Sequence, residues 1–132
     1  MCQERRIVSF LPSSTEILYE IGAGEKIVGV THECNYPPDS KRKPKVIKSS
    51  FDSAEINSKE IDRKIVELVH SGRDIYQVDD NTLKAARPDL IIAQGICEVC
   101  SPFTKEIKEL FLYWVTSRTF LSFTHMTCMT FW

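Results

Sequence analysis

The sequence predicts an α/β fold, a parallel sheet flanked by helices, on three observations. Short β-branched runs alternate with amphipathic segments of helical length from Arg5 to about Leu110. Prolines, glycines and helix-capping residues punctuate the boundaries. Asp89-Leu90-Ile91-Ile92-Ala93 is apolar without alternation, as a strand covered on both faces is. The 132 residues are 42% hydrophobic and 27% charged, the profile of one ordinary folded domain. With 17 Lys+Arg against 18 Asp+Glu, the net charge of −1 supplies no concentration of cations for a polyanion. Nucleic acid is therefore not an expected partner.

Taken in order, Ile7, Val8 and Phe10 form a first strand stopped by Pro12. Ser13-Ser14-Thr15-Glu16 then reads as a capping box, Ser13 at the cap and Glu16 three residues on. Ile17, Leu18 and Ile21 give the helix one apolar face, and Gly22-Ala23-Gly24 closes it. Lys26 to Val30 is a second buried strand, Pro37 and Pro38 forbid regular structure, and Val46-Ile47 marks a short third strand. Ser58 to His70 carries Ile61, Ile65, Leu68 and Val69 at spacings of three and four, an amphipathic helix ended by Ser71-Gly72. Ile75, Tyr76 and Val78 suggest a further extended piece. Asp79-Asp80-Asn81 caps a helix through Leu83 and Ala86, stopped by Pro88 before the strand at 89–93.

The composition changes sharply after this lobe, which spans residues 5–110. Of the Asp, Glu, Lys and Arg residues only Arg118 falls after Glu109, while 111–132 is rich in Thr, Phe, Trp and Met. That atypical hydrophobic tail reads as an aberrant or truncated continuation. Arg118 and His125 interrupt it, so stable membrane insertion is not expected. No h-region follows Met1, so the chain as given carries no export signal. Five cysteines, Cys2, Cys34, Cys97, Cys100 and Cys128, argue against a disulfide framework in a domain of this size.

In an open parallel sheet, ligands bind outside the carboxyl ends of the strands. Three segments are expected there: Leu11–Thr15, Thr31–Tyr36 and Gln94–Pro102. The first offers the Ser13 and Ser14 hydroxyls at a helix N-terminus. The second and third together hold His32, Glu33, Cys34, Cys97 and Cys100, a set that suits zinc or a similar metal if these turns share one crevice. The alternative is that Cys34 and Cys97 are small buried hydrophobes and His32 a hydrogen-bonded loop residue. Tyr36 and Phe51 are candidate walls for a flat ligand. There is no Gly-rich phosphate loop, nucleophile elbow or interpretable carboxylate pair, so an enzyme is not expected.

Four motifs in order carry a more specific signal: Arg5-Arg6-Ile-Val-Ser-Phe-Leu-Pro-Ser-Ser-Thr-Glu-Ile-Leu, Gly24-Glu-Lys-Ile-Val-Gly-Val-Thr31, Asn35-Tyr-Pro-Pro38 and Arg87-Pro-Asp-Leu-Ile-Ile92. Residues 5 to about 103 resemble the N-terminal lobe of class III substrate-binding proteins of ABC transporters, within them the cobalamin-binding branch. The resemblance implies a Rossmann-like lobe of a two-lobed periplasmic binding protein, a corrinoid such as cobalamin or an iron chelate gripped between the lobes, and delivery to an ABC permease. It implies an extracytoplasmic location; the missing signal leaves the cytoplasm as the alternative. It places ligand contacts on His32 to Tyr36 and near Phe51, with Glu33 standing where relatives place an aromatic. The acidic residue that docks on the permease falls at Asn81, flanked by Asp79 and Asp80, and residues 52–73 form an insertion relative to shorter cobalamin binders. The competing function is a cytosolic metal-binding or thiol-redox protein built on His32, Cys34, Cys97 and Cys100.

Overall fold

A computed structural model describes residues 5–51, 56–94, 119–124 and 127–131. Among the described residues, seven strands form one sheet: β1 (Ile7–Ser9), β2 (Ile27–Thr31), β3 (Lys45–Ser49), β4 (Tyr76–Val78), β5 (Leu90–Gln94), β6 (Thr119–Thr124) and β7 (Thr127–Phe131). Their spatial order is β4-β3-β2-β1-β5-β6-β7. Helices α1 (Pro12–Glu20), α2 (Ser58–His70) and α3 (Asp80–Ala86) connect them. No helix among the described residues is long and apolar enough to cross a membrane.

The expected parallel core is present: β1 pairs in parallel with both β2 and β5, β2 with β3, and β5 with β6. The margins depart from it. β4 pairs antiparallel with β3, Ser49 opposite Tyr76, because the chain leaving α2 returns level with the end of β3 and has only one direction left to run. β7 pairs antiparallel with β6, so the described strands within the hydrophobic tail extend the sheet beside β5.

Side chains alternate across β1 and so build a core on each face. Val8 and Phe10 join Val46, Ile47, Leu83, Ala86 and Ala93 on the side of α3. Ile7 joins Leu18, Ile27, Val30, Cys34 and Ile92 on the side of α1. Gly29 lies where β2 crosses between these strands; a Cβ there would meet Val46 Cγ1 at 2.7 Å and Val8 Cγ2 at 3.2 Å. Glycine is therefore required by close approach.

Helix α1 corrects two expectations. It begins at Pro12, whose missing N–H and fixed φ suit a first helical position, with Leu11 at the cap and no side-chain capping bond. The Ser13/Glu16 capping box does not form. The buried face is Ser14, Thr15 and Leu18, while Ile17 and Ile21 are 60% and 70% exposed. Helix α2 has the expected bounds: Asn57 accepts from Glu60 N–H and donates to its carboxylate, and Gly72 takes the left-handed conformation after its end. None of its residues is fully buried, so α2 lies against the lobe rather than within it.

Candidate functional site

Because β1, β2, β3 and β5 are parallel, their carboxyl ends share one edge of the sheet, and antiparallel β4 begins at that same edge. Three described segments meet there: Leu11 to Thr15, His32 to Tyr36, and Ser50-Phe51 beside Tyr76. This rim is where open α/β sheets receive ligands.

The first segment is mostly committed to its own construction. Ser14 Oγ bonds Ser9 Oγ and the Leu11 carbonyl, 3.1 Å away for the latter, and Ser14 is buried. Thr15 Oγ1 lies 2.9 Å from Ser9 Oγ, 3.0 Å from the Leu11 carbonyl and 3.1 Å from Cys34 Sγ. The Ser14 hydroxyl, expected to face a ligand, is engaged in closing the turn between β1 and α1. Ser13 stays exposed. With no side chain among the described residues capping α1, its first backbone N–H groups face the rim, a favourable place for an acceptor or anion.

The second segment separates the residues that the metal reading would join. Cys34 is fully buried, 3.1 Å from Thr15 Oγ1 and 3.3 Å from Thr31 Oγ1, inside the core under α1. His32 turns toward Tyr76, ring centroids 6.2 Å apart, and Tyr76 packs on the other core cluster. Imidazole and thiol thus diverge onto opposite faces of the sheet. No group of three or more His, Cys, Asp or Glu able to hold a metal occurs among the described residues, and Cys97 and Cys100 lie outside them. Cys34 stands in the structure as a small buried core residue.

Lys45, on β3, braces this loop. Its ammonium donates to the carbonyls of Cys34 and Ser40, each at 3.2 Å, while Ser40 Oγ donates to the same Cys34 carbonyl at 3.0 Å. Burial lowers the Lys45 pKa, with Cys34 opposing the shift. Asn35 Nδ2 donates to the Glu33 carbonyl at 3.1 Å. Glu33 and Tyr36 are exposed, Tyr36 by 59%, an aromatic held outward by a fixed backbone.

The third segment opens a cavity of about 480 Å³ between α2 and the β3–β4 pair, lined in part by Ser50, Phe51, Lys64, Glu67, Arg73 and Tyr76. Lys64 Nζ sits 5.7 Å from the Phe51 ring centroid. Phe51 is half-buried and lines this cavity, while Lys64 and Tyr76 were beyond the reach of motif reading. Only the helical period of 58–70, which puts Lys64 one turn before Leu68, hints at them.

The acidic pair lies elsewhere. Asp79 caps α3, accepting from Thr82 N–H, and pairs with Lys48 at 3.2 Å; these bonds, the Thr82 N–H first, lower its pKa. Its backbone N–H donates to Val46, toward the amino end of β3 and away from the rim. Asp80 is exposed, 4.0 Å from Lys84.

No protein-family model matches the chain. Over 44 residues, 33% of this chain and 14% of the other, it is 48% identical to an uncharacterized ABC transporter substrate-binding lipoprotein, YvrC, of Bacillus subtilis (strain 168). Its fold matches the periplasmic vitamin B12 binding protein BtuF of Vibrio cholerae with a TM-score of 0.56 at 22% identity, covering 91% of this chain and 34% of that one. It also matches the periplasmic heme-binding protein RhuT of Roseiflexus sp. RS-1, in apo form, with a TM-score of 0.53 at 20% identity over 90% of this chain and 34% of that one. The chain spans about a third of the length of these structures. Along nearly all its length the chain is similar in fold to these two periplasmic binding proteins, and over a third of it similar in sequence to an ABC transporter substrate-binding lipoprotein.

Proposed function

We propose that this chain is a capture lobe of an ABC importer's substrate-binding component, taking a cobalamin-like corrinoid or another flat metal chelate at the carboxyl edge of its sheet. The observation that carries this reading is the rim itself: Tyr36 held outward on a braced loop, Phe51 beside an open cavity, and uncapped N–H groups of α1, all on one edge. Such a surface binds by burying a ligand face, with few polar groups to orient it. Delivery to a permease outside the cytoplasm follows from the same reading, with exposed Asp80 a candidate acid to meet a cationic partner.

The test is titration of the isotope-labelled chain with cyanocobalamin and with hemin, followed by backbone amide shifts. One lobe covers one ligand face, so affinity weaker than about 1 μM is expected, with shifts at 11–15, 32–36 and 50–51. Tyr36→Ala should weaken binding roughly 10-fold, equivalent to about 1.4 kcal/mol of stacking. Silence of these segments toward both ligands at millimolar concentration would refute the proposal.

A further inference from the structure

The cavity beside α2 has a chemistry that the rim lacks. Two hydrogen-bond donors on its wall have no acceptor among the described residues. Lys64 Nζ faces only the Phe51 ring at 5.7 Å and pairs with no carboxylate there, and Ser50 Oγ is buried with no partner. The other cation, Arg73, is engaged by Glu67 at 3.7 Å. Lys64 is also the more withdrawn of the two, half-buried where Arg73, Glu67 and Asp74 are exposed at the mouth. A buried hydroxyl without a partner carries an uncompensated desolvation cost, and a half-buried ammonium, in a lower effective dielectric, attracts an anion more strongly than one in open water does. Phe51 and Tyr76 add flat aromatic surface to the lining.

A further orphan adjoins them. The His32 ring lies against the same Tyr76, and its Nδ1 is buried without a partner among the described residues. Donors without acceptors, beside aromatic surface, call for an anionic oxygen on a planar body. We propose that this cavity receives an ionised carboxylate arm of the ligand, its oxygens taken by Lys64 and Ser50, so that the lobe prefers chelates rimmed with carboxylates over those rimmed with amides. The proposal rests on the chelate-binding reading above and names the ligand's periphery.

A matched pair of probes isolates the rim chemistry: dicyanocobyrinic acid, with carboxylates around the corrin, and dicyanocobinamide, with amides around the same ring. Amide-shift titration of the chain at moderate ionic strength should give at least 10-fold tighter binding of the acid, with shifts at Ser50, Phe51, Lys64 and Tyr76. Lys64→Gln should reduce that preference to within about 2-fold, and Ser50→Ala should reduce it in part. Circular dichroism of each variant confirms the fold. Equal binding of the two probes, or a preference indifferent to Lys64→Gln, overturns the carboxylate pocket and leaves the chelate reading standing. Absence of shifts with either probe at millimolar concentration overturns both.

Discussion

Replacing Gly29 by alanine tests whether the sheet that supports the rim is as tightly closed as the structure implies. The added methyl would stand 2.7 Å from Val46 Cγ1 and 3.2 Å from Val8 Cγ2, where carbon atoms normally rest about 3.5–4.0 Å apart. Val46 and Val8 are both fully buried and β-branched, so neither has a free rotamer to offer, and the strands must part. Overpacking of this kind costs about 1–3 kcal/mol. Loss of glycine's unfolded-state freedom returns about 0.5–1 kcal/mol, since no positive φ at Gly29 opposes alanine. The net expectation is a loss of about 1–2 kcal/mol, a fall in urea midpoint of about 0.5–1 M with unchanged slope. The decisive comparison is with Val46→Ala. That change alone opens a cavity and destabilises, but in the double variant the clash disappears, so the cycle should show a favourable coupling of about 1 kcal/mol or more. Additive effects, or a stabilising Gly29→Ala, would refute the close-approach argument.

Two further outcomes are expected. Under native conditions Cys34 should resist alkylation for as long as the fold persists, whatever the zinc concentration, and react promptly in denaturant; peptide mapping reads it apart from the other cysteines, and rapid native labelling would contradict its burial. Tyr19, whose phenol donates to Asp39 at 2.8 Å, has its pKa pushed up to about 12 by burial and then by Asp39. Folding favours the neutral phenol, so the contribution of Tyr19 is whole below pH ~10 and is lost as pH rises through 12. Asp39→Asn should bring the ultraviolet titration of Tyr19 down toward 10 and flatten the fall in stability over that window; an unmoved titration would assign the shift to burial alone.

The legible parts of this fold are those where local chemistry and tertiary packing agree. The period of Ile61, Ile65 and Leu68 between Asn57 and Gly72 fixes α2 to the residue, because cap, face and stop point to one answer. At Ser13 two local rules compete, and proline wins: Pro12 can occupy the first helical turn without losing a bond, so the cap moves back to Leu11 and the serines turn to other partners. The direction of β4 is set by where α2 lets the chain re-enter, which no residue of Tyr76–Val78 encodes. Cys34 illustrates a third case. The turn after Thr31 resets the strand's alternation, so spacing alone does not reveal that His32 and Cys34 leave on opposite faces. Tyr36 and Phe51 were readable as rim aromatics, whereas Lys45, Ser40 and Lys64 lack any motif and become significant only through what stands beside them.

The same contrast bears on how the rim would bind. Side chains that look chemically versatile in the sequence, Ser14, Thr15, Cys34 and Asp79, spend their polar atoms on turns and caps. What this achieves is order before a ligand arrives. Fixing a backbone residue costs about 1–2 kcal/mol, so the five residues from His32 to Tyr36 represent roughly 5–10 kcal/mol of conformational entropy already lost on folding. That exceeds what one aromatic contact contributes, about 0.5–1.5 kcal/mol beyond its buried area. On the proposed function, binding by this lobe would depend more on Lys45, Ser40 and Thr31, which hold the loop, than on the polar character of the residues displayed along it. Specificity then falls to the few groups left unsatisfied, and among the described residues Lys64, Ser50 and His32 are the ones whose unused polar atoms gather about Tyr76 and the cavity.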